Sequence, residues 1–356
     1  MPISDIALYR LFNQQILQPT LKTPRDVVAW LGALQGQDYA GAKWSVGLRL
    51  PGSTDADIEQ AFADRAILRT WLMRGTLHLV AAEDIHWILG LVAPKLIAGN
   101  TRRYGELELD ADTLTRSNDI IVEALQDGGL LNRKELLALL EEKGIPTEGQ
   151  RGVYMLQRAS LDGLICQGAA PRNVPTFMAL GAAPPHVAAM IREEALAELA
   201  RRYFNSRGPA TMQDFAAWSG LVMADVRAGM EAVKAEFVEE TIDGQTYWRP
   251  DTTPLPRESA PYLLPGFDED LLGYRDRSAV LDPQYAQQVC PGGNGVFQPT
   301  IVIEGRMVGT WKRAFKKGAA QLTPLPFTTL TEAELEAFAA AAQPFGQFLE
   351  MPVTPA

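Results

Sequence analysis

Ile67-Leu-Arg-Thr-Trp-Leu-Met-Arg-Gly-Thr-Leu-His-Leu-Val80 decides the reading of this chain. Two runs rich in β-branched and apolar residues flank a turn at Met73-Arg74-Gly75, which predicts a hairpin. Three helices lead into it. Thr23 caps the first, Pro24 takes its opening position, and Val27, Val28, Leu31 and Leu34 form its apolar face. A short helix over Ala42 to Leu48 follows, and Thr54 with Asp57 starts a third through Ile58, Ala61 and Phe62.

The same order recurs twice. Asp119 to Gln126 reads as a helix, and Asn132 with Glu135 forms a capping box for Arg133 to Glu142, which stops at Gly144 and Pro146. Gln150 to Asp162 is a third helix, and Gly163 to Gln167 with Pro175 to Leu180 give two strands joined by Gly168 to Val174. A third set runs from a helix over Val187 to Phe204, through Phe215 to Trp218 capped by Thr211 and Asp214, to Ala224 to Glu236. Phe237 to Glu240 and Gln245 to Arg249 then flank Asp243-Gly244, a strong hairpin signal. Three helices and a hairpin make a winged helix. The expected fold class is mostly α with β-hairpins (α+β), with tandem winged helix-turn-helix units over residues 1–115, 116–185 and 186–250. Residues 251–356 are expected to hold a small β-rich C-terminal domain, entered by a linker with five prolines between Pro250 and Pro265. Within it Gln298 to Ile303 and Arg306 to Lys312 alternate around Glu304-Gly305. Thr331 and Glu334 cap a final helix that Pro344 interrupts or ends.

With 356 residues and 47% hydrophobic content, the chain can bury a core and divide into two to four domains. No stretch reaches the roughly 20 apolar residues of a membrane span, and the start lacks the order of a secretory signal, so the expected location is cytoplasmic, with no membrane partner. Cys166 and Cys290 have neither the number nor the spacing of a disulfide framework or zinc site. His78, His86 and His186 are scattered, so no metal and no cofactor is implied. Net charge is −10, which opposes phosphate binding on average. Two patches run the other way. Arg65 to Val80 carries Arg65, Arg69 and Arg74 with no acid, and Gly305 to Gly318 carries Arg306, Lys312, Arg313, Lys316 and Lys317 with none. On charge alone, solvated faces account for both.

Three groups of residues resemble one family. Leu34-Gln35-Gly36-Gln37-Asp38, the run Leu68 to Val80, and Leu264-Pro265-Gly266-Phe267-Asp268 with Val308-Gly309-Thr310-Trp311 are similar to the AlkZ/YcaQ-type winged-helix DNA glycosylases, and the likeness spans most of the chain. The resemblance implies a concave DNA-binding surface and removal of alkylated purines, bulky or cross-linked adducts included in some members. In that family a Gln-x-Gln or Gln-x-Asp motif carries the chemistry. Here it falls on Gln35 and Gln37, with Gly36 where the family has an apolar residue, which adds backbone freedom.

If residues 35 to 37 are extended, both glutamine side chains share one face and can converge on a water or a sugar. Breaking an N-glycosidic bond makes an oxocarbenium-like sugar, and an N3- or N7-alkylated purine already carries positive charge, so it leaves without a general acid. A glutamine carbonyl can place the attacking water and stabilise developing positive charge. Asp38 adjoins the motif as a charge partner near the site. The plain alternative is that both glutamines finish a helix and bond to the backbone. On the hairpin, Arg69, Arg74, Thr76 and His78 are candidate DNA contacts, with Trp71 or His78 beside an extruded nucleotide; as an aromatic in a strand, Trp71 favours the core. Lys312 and Arg313 can reach the DNA backbone from the C-terminal domain. The reading is a monofunctional DNA glycosylase, acting as a monomer on alkylated bases in double-stranded DNA. Lys43 is the one lysine close to the motif, so no Schiff-base lyase step is expected. The alternatives are a non-catalytic winged-helix DNA-binding protein, such as a transcriptional regulator, and a protein-interaction scaffold, which the acidic composition favours.

Overall fold

Helix caps and turn residues fix the local structure as the sequence predicts. Thr23 Oγ1 accepts the Asp26 amide at the start of the helix Pro24–Leu31. Asn132 and Glu135 complete a reciprocal capping box on Arg133–Glu142, as do Thr211 and Asp214 on Met212–Ser219 and Thr331 and Glu334 on Glu332–Phe348. Strands Val238–Ile242 and Gln245–Arg249 pair around Asp243 and Gly244, whose φ angles of 49° and 78° are the left-handed pair that a two-residue hairpin turn needs.

The computed structural model describes residues 3–171, 174–185, 190–251, 260–316 and 318–355. It is a mixed helix and sheet protein with two compact units, one made of residues up to Ile58 with those from Leu196 onward, the other Glu59–Ala195. Among the described residues, no helix is long and apolar enough to cross a membrane.

In the unit Glu59–Ala195, the hairpin Ile67–Trp71 with Leu77–Ala81 pairs in register from Ile67 opposite Ala81 to Trp71 opposite Leu77. Its first strand also pairs with Ile165–Gln167 through Arg69 opposite Gln167, and that strand pairs with Thr176–Ala179. The two hairpins read separately from the sequence therefore share one sheet. Leu136, Leu140, Met155, Leu156, Ile165 and Phe177 pack beneath it. The helix Ala111–Ala124 begins well before Asp119, because Asp110 supplies an N-cap by accepting the Thr113 amide. The helix Ile85–Gly99 escaped the sequence reading: with Ile85, Trp87, Ile88, Leu89, Leu91 and Val92 all buried, its apolar residues run around the helix and leave no one-sided period to read.

In the other unit, the helix expected over Val187 to Phe204 runs Arg192–Arg207 among the described residues; residues 187–189 lie outside them. The expected linker is in part a strand, Tyr262–Leu264, while Pro254 and Pro256 lie outside the described residues. It edges a five-stranded sheet in the order Tyr262–Leu264, Thr300–Ile303, Arg306–Lys316, Ala319–Pro326, Val353–Pro355. The apolar Tyr262-Leu263-Leu264 run pairs with Thr300–Val302, and this outweighs the surrounding prolines. Pro344 does not end the final helix, which continues to Phe348. An internal proline costs about 3 kcal/mol. Burial of Phe345 and Phe348 offsets that cost: Trp44 lies 5.1 Å from Phe345 and 5.2 Å from Phe348, and Trp311 lies 5.3 Å from Phe345.

The indole N–H of Trp44 donates to the Leu263 carbonyl at 2.7 Å, and that of Trp311 to Leu264 at 2.9 Å. The helix Tyr39–Leu48, which follows the Gln-x-Gln motif, is thus pinned to the C-terminal sheet. Replacing Trp44 by alanine removes both the aromatic packing and this bond, and is expected to cost about 3–5 kcal/mol in urea unfolding. Asn132→Ala, which removes one cap in the other unit, is expected to cost about 1 kcal/mol.

Candidate active site

The motif lies where a helix gives way to extended chain. Gly32 caps Pro24–Leu31 with φ 73°, a turn that suits glycine, and Leu34–Gln35 follow as a short strand. Residues 37 and 38 bend into the helix Tyr39–Leu48, with Asp38 at its N-cap. Gln35 is buried and Gln37 is exposed. Gly36 is buried and is not among the left-handed glycines, so backbone conformation does not demand glycine there.

Side chains, rather than secondary structure, grip one edge of this segment. Arg207 Nη1 donates to the Leu31 carbonyl at 2.8 Å and Nη2 to the Ala33 carbonyl at 3.0 Å. Glu269 Oε1 accepts the Gln35 amide at 3.0 Å. The two gripping groups are themselves an ion pair, Arg207 Nη2 to Glu269 Oε2 at 2.7 Å, and both side chains are wholly buried. Trp218 donates its indole N–H to the same Oε2 at 2.9 Å and lies under the guanidinium, 4.3 Å from the ring centroid. Such a pair is stable in a dry interior because its remaining donors and acceptors are matched.

A second buried pair adjoins it. Arg49 makes a two-pronged contact with Asp268, both arms at 2.9 Å, and Ser45 Oγ donates to Asp268 Oδ2 at 2.5 Å. Arg49 also donates to the Gln14 carbonyl and side chain, Gln14 donates to the Tyr274 hydroxyl, and that hydroxyl donates to the Arg207 carbonyl at 2.9 Å. Burial opposes the charged form of Asp268, but the Arg49 guanidinium overrides it and holds the carboxyl below its ordinary value. Asp270 has no such partner. It is fully buried, and neither carboxyl oxygen accepts a hydrogen bond among the described residues. Burial, helped by the charge on Asp268, pushes it up to about 7. The sequence reading quoted this segment only as far as Asp268 and did not single out Arg49, Arg207 or Glu269. The signal available was three consecutive acids, Asp268-Glu269-Asp270, set between apolar residues.

Around the motif, the Asp38 carboxylate turns back over the first turn of its helix: a Cβ added at Gly41 would meet its Oδ2 at 2.5 Å. Arg313 reaches within 3.8 Å of that oxygen, so the structure joins two candidates distant in sequence. Lys312 is exposed on the same strand. Lys43 is 2% exposed and its ammonium donates to Asp55 at 2.7 Å, so the lysine beside the motif is buried and already engaged. No group of three or more His, Cys, Asp or Glu that could hold a metal ion occurs among the described residues.

The hairpin 67–81 places its candidates in different surroundings. Arg69 is 6% exposed and donates to Gln167 Oε1 at 2.6 Å, and His78 is fully buried with Nδ1 3.0 Å from the Thr76 carbonyl. Both are thus largely engaged within the sheet, and Arg69 also borders the groove beside it. Trp71 is half-buried and stacks on Phe177 at 6.3 Å, forming a wall of a groove of about 750 Å³ that Leu137, Val153 and Arg133 also line. Arg74 is exposed at the turn with φ 58°, and Thr76 is half-buried with its hydroxyl on the Met73 carbonyl.

Comparison with known proteins gives a consistent result. Residues 28–348 match the family described as DNA glycosylase AlkZ-like. The chain is 28% identical over 342 residues to an interstrand DNA cross-link repair glycosylase of Streptomyces sahachiroi, covering 89% of each protein. The solved structure of Streptomyces sahachiroi DNA glycosylase AlkZ superposes with a TM-score of 0.74 over 99% of both chains at 23% identity, which establishes a shared fold.

The buried carboxyl of Asp270 makes stability depend on pH. Its raised value means folding favours the protonated form. Stability from this residue is therefore full below about pH 4, where the unfolded chain is also protonated, and is lost as pH rises through about 7. Asp270→Asn is expected to raise the thermal midpoint more at pH 8 than at pH 5, the difference corresponding to a few kcal/mol. Equal shifts at the two pH values would rule out this ionisation.

Proposed function

We propose, on the premise that the chain belongs to the AlkZ-like DNA glycosylase family, that it hydrolyses the N-glycosidic bond of N3- or N7-alkylated purines in double-stranded DNA. Bulky and cross-linked adducts fall within the proposed substrate class, in keeping with the name of the Streptomyces sahachiroi relative. The carrying observation is the glutamine pair: Gln35 buried and anchored through its amide, Gln37 exposed two residues on.

The chemistry asks little acid–base work of the protein. An alkylated purine leaves with its bonding electron pair and becomes neutral, while the sugar takes on oxocarbenium character. An extruded nucleotide presents its C1′ to the motif. The glutamine carbonyl oxygens stabilise the developing positive charge and orient a water for attack, and preorganisation makes these dipoles effective because they need not reorient during the reaction. Water then supplies the new C–O bond and its proton leaves to solvent. Lys43, the lysine nearest the motif in sequence, is engaged by Asp55, which supports a monofunctional enzyme. Arg74, Thr76, Lys312 and Arg313 are the proposed phosphate contacts. The order of helices before the 238–249 hairpin supports a winged-helix reading of that segment, and the monomer follows from a chemistry that addresses one lesion at a time.

Single-turnover release of N7-methylguanine from duplex DNA tests the reading. Gln35→Ala and Gln37→Ala are each expected to bind DNA yet release base about a hundredfold or more slowly, a loss of at least about 2.7 kcal/mol of barrier stabilisation. A native protein that binds DNA but releases nothing from this or a bulkier adduct is instead a non-catalytic DNA-binding protein. Borohydride is expected to trap no covalent protein–DNA adduct, and a trapped adduct would replace water with an amine nucleophile.

A further inference from the structure

We infer that Glu269, held by Arg207 and Trp218, is a positioning residue for the glutamine motif and sets the rate of base release without touching the DNA. The inference rests on the glycosylase reading above and extends it to a part of the site that is remote in sequence. Arg207 and Glu269 together take the carbonyl of Leu31 at the helix end and, beyond the Gly32 turn, the Ala33 carbonyl and the Gln35 amide. At Ala33 and Gln35 this is the pattern of contacts that a neighbouring β-strand would make, supplied here by one buried ion pair. A strand partner pairs with carbonyls and amides of its own and can slip. The ion pair cannot, because each of its atoms is committed: Oε2 of Glu269 takes Arg207 Nε at 3.2 Å, Nη2 at 2.7 Å and the Trp218 indole at 2.9 Å, leaving Oε1 facing the Gln35 amide. Gln37 lies only two residues further along the chain, so its position follows in part from how firmly Gln35 is fixed. Sub-ångström placement matters in a reaction driven by preorganised dipoles.

The two oxygens of Glu269 have unequal duties, and this makes an informative substitution possible. In Glu269→Gln the three N–H donors of Arg207 and Trp218 claim the amide oxygen, which turns the NH2 group towards the Gln35 amide, donor against donor. Shape and the Arg207 contacts survive while the Gln35 anchor is lost. Glu269→Gln is expected to slow single-turnover release of N7-methylguanine at saturating enzyme by about tenfold or more, with DNA affinity changed by less than about twofold. On the Gln35→Ala background the same substitution is expected to slow release by less than about threefold, because it acts through the residue already removed. Arg207→Lys keeps the charge but cannot span both carbonyls, and it is expected to show the same pattern, so the idea stays testable if one variant does not fold. Undiminished release by a folded variant overturns the inference, as does a full multiplicative loss on the Gln35→Ala background. Native protein that fails to release base at all, or a Gln35→Ala variant that matches it, overturns the glycosylase reading instead.

Discussion

The buried ion pair between Arg207 and Glu269 is the constraint on which the site depends. Without it, the carbonyls of Leu31 and Ala33 and the amide of Gln35 lose partners in a dry interior, where an unmatched backbone group costs about as much as a lost hydrogen bond. The pair is supported in turn by Trp218, by Tyr274 at the Arg207 backbone, and by the Arg49–Asp268 contact one residue before Glu269. Replacing such an assembly with apolar side chains would fill the same space. It would not hold a helix end and the chain that leaves it by three backbone groups.

The charge distribution follows the same logic. A net charge of −10 describes the whole chain, yet Arg10, Arg49, Lys43, Arg69 and Arg207 are spent in the interior. Their exposed counterparts, Arg74 and Lys312, sit at a turn and on a strand face. Average charge therefore says little about whether a surface suits phosphate, because these cations are held inside the fold by partners such as Asp268, Glu269 and Gln167.

Local structure was largely legible in the sequence. The capping boxes at Asn132, Thr211 and Thr331 and the Asp243-Gly244 turn are decided by residues three apart or adjacent, and they appear in the fold as read. What was not legible depends on partners distant in sequence. Arg69 reads as a surface cation until Gln167 is placed opposite it, and Pro344 reads as a helix stop until Trp44 and Trp311 are packed on Phe345. For the site, the glutamines and Asp38 were visible as a motif, but the residues that hold them were not. Glu269 and Arg207 carry no motif of their own, and their role exists only once the chain has brought them to residues 31–35.

That distance has a consequence for biosynthesis. The Gln35 amide and its Glu269 acceptor are 234 residues apart, and Trp44 waits for Leu263 across 219. During synthesis the motif emerges first, while the carboxylate that fixes it is still untranslated, and contacts of such span close late because the intervening loop must be ordered before they form. A ribosome-bound or prematurely terminated chain that displays both glutamines thus lacks the acceptor that fixes the Gln35 amide. The acceptor arrives only with the final third of the polypeptide, so the motif of an unfinished copy is left without its anchor.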